Sequence, residues 1–149
     1  MTLERPLAVS RRTIAVLLAA VNLVAGTAVA ADDWPLLKPG LWESVREMTS
    51  GDGRKNPPIK VSHCVDPSAE MRQQQATLTK GGCRFSPVVR SGKEYRYSAE
   101  CRIQGMSTVS RSVMTATSDS AYEIRVESEF GGEVTREVLR SRRVGDCAR

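Results

Sequence analysis

Residues Ala121–Phe130 give the cleanest alternation in the chain. Tyr122, Ile124, Val126 and Phe130 fall on one side of an extended chain, and Glu123, Arg125, Glu127 and Glu129 on the other. That period fits a strand with one buried face and one wet face. Gly131-Gly132 follows, a pair suited to a two-residue hairpin turn, and 133–143 leads back. Pairing Phe130 with Glu133 sets Glu127 opposite Arg136 and Glu123 opposite Arg140. Opposite charges directly across a strand pair contribute about 0.2–1 kcal/mol each. The pattern predicts a salt-bridged outer face rather than a binding patch.

The same period recurs along most of the chain. Gly40–Thr49 is the first strand expected, followed by a loop at 51–58 rich in Gly, Asn and Pro. In Ile59–Val65, the residues Ile59, Val61, His63 and Val65 alternate with Lys60, Ser62 and Cys64. The sole helix expected comes next. Asp66 caps it, Pro67 takes its first position, Glu70 sits in the first turn and Gly81-Gly82 stops it. Strands at 83–90 and 94–101 flank a three-residue loop, Ser91-Gly92-Lys93. If Arg90 pairs Glu94, Phe85 lies opposite Ala99 and Val89 opposite Tyr95. A further strand at 106–116 ends in a turn at 117–120. The fold class is mainly β: an antiparallel barrel or strongly curved sheet of about seven strands with one short helix. Such closure hides strand edges.

The N-terminus reads as an export signal. Arg5, Arg11 and Arg12 precede an apolar run at 13–29, which ends in Ala28-Val29-Ala30, a small-x-small cleavage pattern. A retained anchor needs about 20 apolar residues, and Asn22, Gly26 and Thr27 interrupt this run. The segment 10–14 partly resembles a twin-arginine signal, against an ordinary basic start for general secretion. Cleavage divides the chain into 1–30, the signal peptide, and 31–149, a single β-rich domain in the periplasm with no membrane span. Residues 31–39 read as an exposed lead-in. The whole chain carries +5; losing Arg5, Arg11, Arg12 and Glu4 with the signal lowers this to +3. That balance, with Glu and Arg interspersed, excludes a nucleic-acid footprint.

All four cysteines, Cys64, Cys83, Cys101 and Cys147, lie in the mature part. No pair has the CxxC spacing of a redox or zinc motif, so structural disulfides are expected. Aromatic residues are few and the core should be thin, so two bridges of about 2–4 kcal/mol each would matter. One pairing, Cys64–Cys83 with Cys101–Cys147, would tie down the helical excursion and pin the C-terminus. The hairpin register instead puts Cys83 opposite Cys101, which leaves Cys64 for Cys147. Both connectivities stay open on the sequence.

Lys38-Pro39-Gly40-Leu41-Trp42-Glu43 just after a signal peptide resembles the opening of an uncharacterised proteobacterial family of exported domains of unknown function with an N-terminal PGLWE motif. The likeness continues through Cys64-Val65-Asp66-Pro67 and Gly82-Cys83 to Arg142-Arg143-Val144-Gly145-Asp146-Cys147, the C-terminal GDC motif. It implies an exported β domain and brings no activity, cofactor or catalytic residues. Members tend to have methionine-rich, nearly uncharged turns after the first strand, whereas 51–55 is charged here.

No catalytic constellation or metal site emerges, and neither an enzyme nor a cofactor is expected. His63 adjoins Cys64, and strand neighbours point to opposite faces. No serine occupies a Gly-x-Ser-x-Gly elbow. Trp42 is expected to pack under the barrel end rather than to stack on a ligand. If Ala116 pairs Ala121, Arg111 falls opposite Val126, which faces Glu137. Arg111 and Glu137 would then lie on the apolar face with Tyr122, as candidate ligand-binding residues for a polar group, or as a pair satisfying each other. Two functions follow as expectations: a periplasmic binding module for a small apolar or amphiphilic ligand, or an interaction protein of the cell envelope with a filled core. The partner is correspondingly an unidentified small molecule or envelope protein.

Overall fold

The computed structural model describes residues 34–148. The expected signal peptide lies outside the described residues. The strands are β1 (Gly40–Thr49), β2 (Ile59–Val65), β3 (Cys83–Phe85), β4 (Val89–Ser91), β5 (Glu94–Ile103), β6 (Met106–Ser118), β7 (Ala121–Phe130) and β8 (Glu133–Gly145). One helix, α1 (Pro67–Lys80), separates β2 from β3. All strand pairs are antiparallel, in the order β2-β1-β8-β7-β6-β5-β3, with β4 also on β5. The sheet curls without closing, as the strongly curved alternative required.

Among the described residues there are eight strands instead of about seven because the expected strand at 83–90 breaks in the middle. Phe85 pairs Ala99, but Val89 pairs Arg96, so three residues face two across the gap. Pro87 has no N–H for the ladder. Ser86 repairs part of the loss, its Oγ accepting from Ser98 N at 2.9 Å. The extra residue shifts the register beyond it, and Arg90 pairs Tyr95 rather than Glu94. The loop is accordingly the two residues Gly92-Lys93.

The helix forms as its flanks dictate. Asp66 accepts from Ala69 N at 3.0 Å and Pro67 opens the first turn. The helix buries little of itself, chiefly Pro67 and Ser68, with Met71 packed against the core. Ser68 ties α1 to the segment before β1, donating to Pro35 O at 2.8 Å and accepting from Leu37 N at 2.9 Å. Trp34 Nε1 donates to Gln75 Oε1 at 3.2 Å. Within the lead-in expected to be exposed, Trp34, Pro35 and Leu37 are therefore buried, while Leu36, Lys38 and Pro39 are exposed; residues 31–33 lie outside the described ones. Trp34 and Leu37 join Trp42, Tyr95 and Met114 as the buried core.

Trp42 packs as expected. It is 1 % exposed, its Nε1 donates to Lys38 O at 3.0 Å, and its ring lies 5.5 Å from that of Tyr122. Gly40 beside it has φ +154°, and a Cβ there would come within 2.5 Å of Gly145 O. The glycine of the PGLWE motif thus lets the start of β1 approach the end of β8.

The disulfides are Cys64–Cys147 and Cys83–Cys101. The Cys64–Cys83 and Cys101–Cys147 pairing is excluded. Cys83 and Cys101 face each other across β3 and β5 with Cα atoms 4.1 Å apart. Non-reducing peptide mapping should recover 64–147 and 83–101 linked peptides, and no 64–83 peptide. Ser68→Ala would strand the Pro35 carbonyl and the Leu37 amide. It should lower unfolding free energy by about 1–3 kcal/mol in urea titration.

Candidate functional site

By register, the concave face carries Trp42, Ser44 and Arg46 from β1, and Ser141, Leu139 and Glu137 from β8. Tyr122, Ile124 and Val126 of β7 and Ala116, Met114, Ser112 and Ser110 of β6 continue it. Tyr95, Tyr97 and Ala99 of β5 complete it. The convex face carries ion pairs. Arg140 reaches Glu123 at 2.8 Å and Glu47 at 2.9 Å, Arg136 meets Glu127 at 3.2 Å and Arg142 meets Glu43 at 2.8 Å. The expected pairs of β7 with β8 all form, including Val126 opposite Glu137.

Arg111 departs from expectation. Ala116 pairs Tyr122, not Ala121, because Thr117 is an extra residue between Ala116 and Ser118. Its Oγ1 donates to Ala121 O at 3.1 Å. A one-residue slip turns every side chain of a strand over. Arg111 consequently faces outward opposite Glu127, and Ser112 takes the place beside Val126. Met114, with no exposed surface, is the core residue of this strand. The inward arginine is instead Arg46. Its Nε lies 3.0 Å from Glu137 Oε1, with the side chains 49 % and 25 % exposed. The signal for it was present: Trp42, Ser44 and Arg46 share one face of β1 by simple alternation.

Helix α1 lies over this concave face and leaves space beneath it. One chamber of about 580 Å³ is lined by β1, β2, β7, β8 and α1 residues, among them Val61, His63, Met71, Tyr122 and Leu139. A second, of about 270 Å³, reaches Trp34, Phe85, Tyr97, Ala99 and Val126. Arg46, Met71, Gln74, Leu78 and Ile124 line both. Tyr122 and Glu137, named from the sequence, therefore line the same cleft; Arg111 does not.

The buried hydroxyls of the concave face are matched. Ser44 and Ser141 are 2.7 Å apart Oγ to Oγ. Burial raises the pKa of both Tyr97 and Tyr122, partly opposed by their hydrogen bonds to Ser112 and Ser141; Glu137 adds to the rise at Tyr97. The Trp34 ring stands edge-on to Tyr97 at 4.9 Å. His63 Nε2 lies 3.9 Å from Glu70 Oε2 at the rim. Among the described residues no group of three or more acidic, Cys or His side chains could hold a metal ion.

The model of the family described as a protein of unknown function, DUF3617, matches residues 37–147. The chain belongs to this family. No match was found among curated proteins or solved structures. In this DUF3617 chain the matched stretch runs from Leu37 of the core to Cys147 of the first disulfide. The whole cleft except Trp34 thus lies within the family's span. The two disulfides fit an oxidising, extracytoplasmic setting. No helix among the described residues is long and apolar enough to cross a membrane.

Raised phenol pKa values carry a sign. A group whose pKa is higher folded than unfolded stabilises fully below its unfolded value, and the benefit fades as pH climbs past it. Melting temperature should therefore hold up to about pH 10 and fall above it. Replacing Tyr97 and Tyr122 with Phe should flatten that fall in a series of alkaline thermal melts.

Proposed function

We propose that the protein is a non-catalytic periplasmic module that holds a small apolar or amphiphilic molecule between α1 and the concave face of the sheet. The observation carrying this reading is the pair of adjoining chambers, about 580 and 270 Å³, that share five lining residues. Their sizes fall in or near the range of small-molecule sites. The walls combine apolar and aromatic side chains with a few fixed polar groups, the mixture such sites use for affinity and orientation. Arg46 and Glu137 supply the polar end. Residues 1–30 as a cleavable signal would deliver the domain to the compartment its disulfides require.

A second reading is favoured by one observation. Among the described residues strand β2 pairs only with β1, and Ile59 and Val61 on it are exposed. An open edge of this kind can accept a strand from an envelope protein. Native mass spectrometry of protein exported to the periplasm, without reductant, tests the first reading. The expected result is an excess mass that denaturation releases. A bare mass that stays bare after incubation with membrane extract would favour the edge strand as the working surface.

A further inference from the structure

The ionisable groups lining the two chambers come from only four elements among the described residues. Strand β1 gives Arg46, β2 gives His63, α1 gives Glu70 and β8 gives Glu137. Strands β5, β6 and β7 contribute only hydroxyl, aromatic, apolar and disulfide side chains to the lining. Arg46 has Glu137 beside it at 3.0 Å, and His63 lies 3.9 Å from Glu70. Glu137 is the most covered of the four, a quarter exposed, while Arg46, His63 and Glu70 are each about half exposed.

Resting on the reading of the cleft as a ligand site, we propose that it selects amphiphiles whose head group is uncharged and rich in hydroxyl or amide groups. An anionic head must draw Arg46 away from Glu137, leaving that carboxylate, three-quarters covered, without a counter-charge. Leaving a mostly covered carboxylate without its counter-charge is unfavourable. A cationic head beside Glu137 is repelled by the Arg46 guanidinium already there, or must displace it into solvent. A neutral head leaves the pair intact and still finds partners. One Nε contact uses a single member of the five-donor guanidinium fork, and Glu137 keeps free lone pairs. Gln74 on α1 and Ser112 on β6 add further hydrogen-bonding groups to the chambers. The tail would lie along Trp34, Phe85, Ala99 and Val126.

The pair also sets how selectivity should change. Removing Glu137 leaves a lone cation in the cleft, and removing Arg46 leaves a lone anion. Neutralising both restores the balance.

The test measures binding of three probes with one tail and different heads, dodecyl glucoside, dodecyl phosphate and dodecyltrimethylammonium, below their micellar concentrations. Wild type should bind the glucoside at least about tenfold tighter than either charged chain. Glu137→Gln should move the preference to the phosphate, and Arg46→Gln to the ammonium. The double variant Arg46→Gln/Glu137→Gln should return it to the glucoside, with circular dichroism and melting curves establishing that each variant is folded. A wild type that prefers a charged head overturns the proposal, as does one rank order shared by both folded single variants. If wild type binds none of the three, the ligand-site reading itself fails and this inference falls with it.

Discussion

Among the described residues the sheet has two edges, β2 on one side and β3 with β4 on the other, and the chain passes from β2 to β3 through α1. A curled sheet with unpaired edges must satisfy or cover them. Here a helix spans the opening that an additional pair of strand ladders would have closed. Each end of the helix is held covalently. Cys64, three residues before Pro67, is bonded to Cys147 beyond β8, and Cys83, three residues after Lys80, is bonded to Cys101 on β5. Because its ends are pinned, α1 can lie across the concave face while burying little of its own surface. The space beneath it follows from that arrangement. A helix held by apolar packing alone would have to sink into the sheet and fill the cleft.

The two faces of the sheet use polarity differently. The convex face spreads its charges into exposed pairs across β1, β8 and β7, each contributing modestly but together fixing register. The concave face uses short hydroxyls, Ser44 with Ser141 and Ser112 near Tyr97, together with one ion pair. Small side chains keep the interior from filling, and few large residues are available to fill it. The thin core is compensated at one end by the lead-in, where Trp34 and Leu37 are anchored through Ser68 and Gln75. That end is plugged and covalently tied.

Much of this was legible in the sequence. Strands β1 and β2, the β7–β8 hairpin with its charge pairs, and the capped helix all follow from local pattern, because period, turn chemistry and capping agree there. The failures were at irregularities that no alternation announces. The extra residue at Thr117 reversed β6, carrying Arg111 outward and leaving Arg46 as the inward cation. The interruption at Pro87 split one strand into β3 and β4. The register around Cys83 and Cys101 was correct in the hairpin, whereas the tidier picture of a disulfide closing off the helical segment was not. Burial of Trp34 could not be read from a stretch bounded by prolines, because it depends on a serine more than thirty residues away. The cleft is the least legible part, since it exists only through the long-range placement of α1.

The central claim is that the space under α1 is the working part of the molecule. Amide hydrogen exchange in the presence and absence of a saturating neutral single-chain amphiphile tests it most directly. The account predicts slowed exchange in α1 and in the strands beneath it, around Ser112 and Ile124, with the 51–58 loop unchanged. Slowing confined to β2, or no change in α1 at saturation, would contradict it.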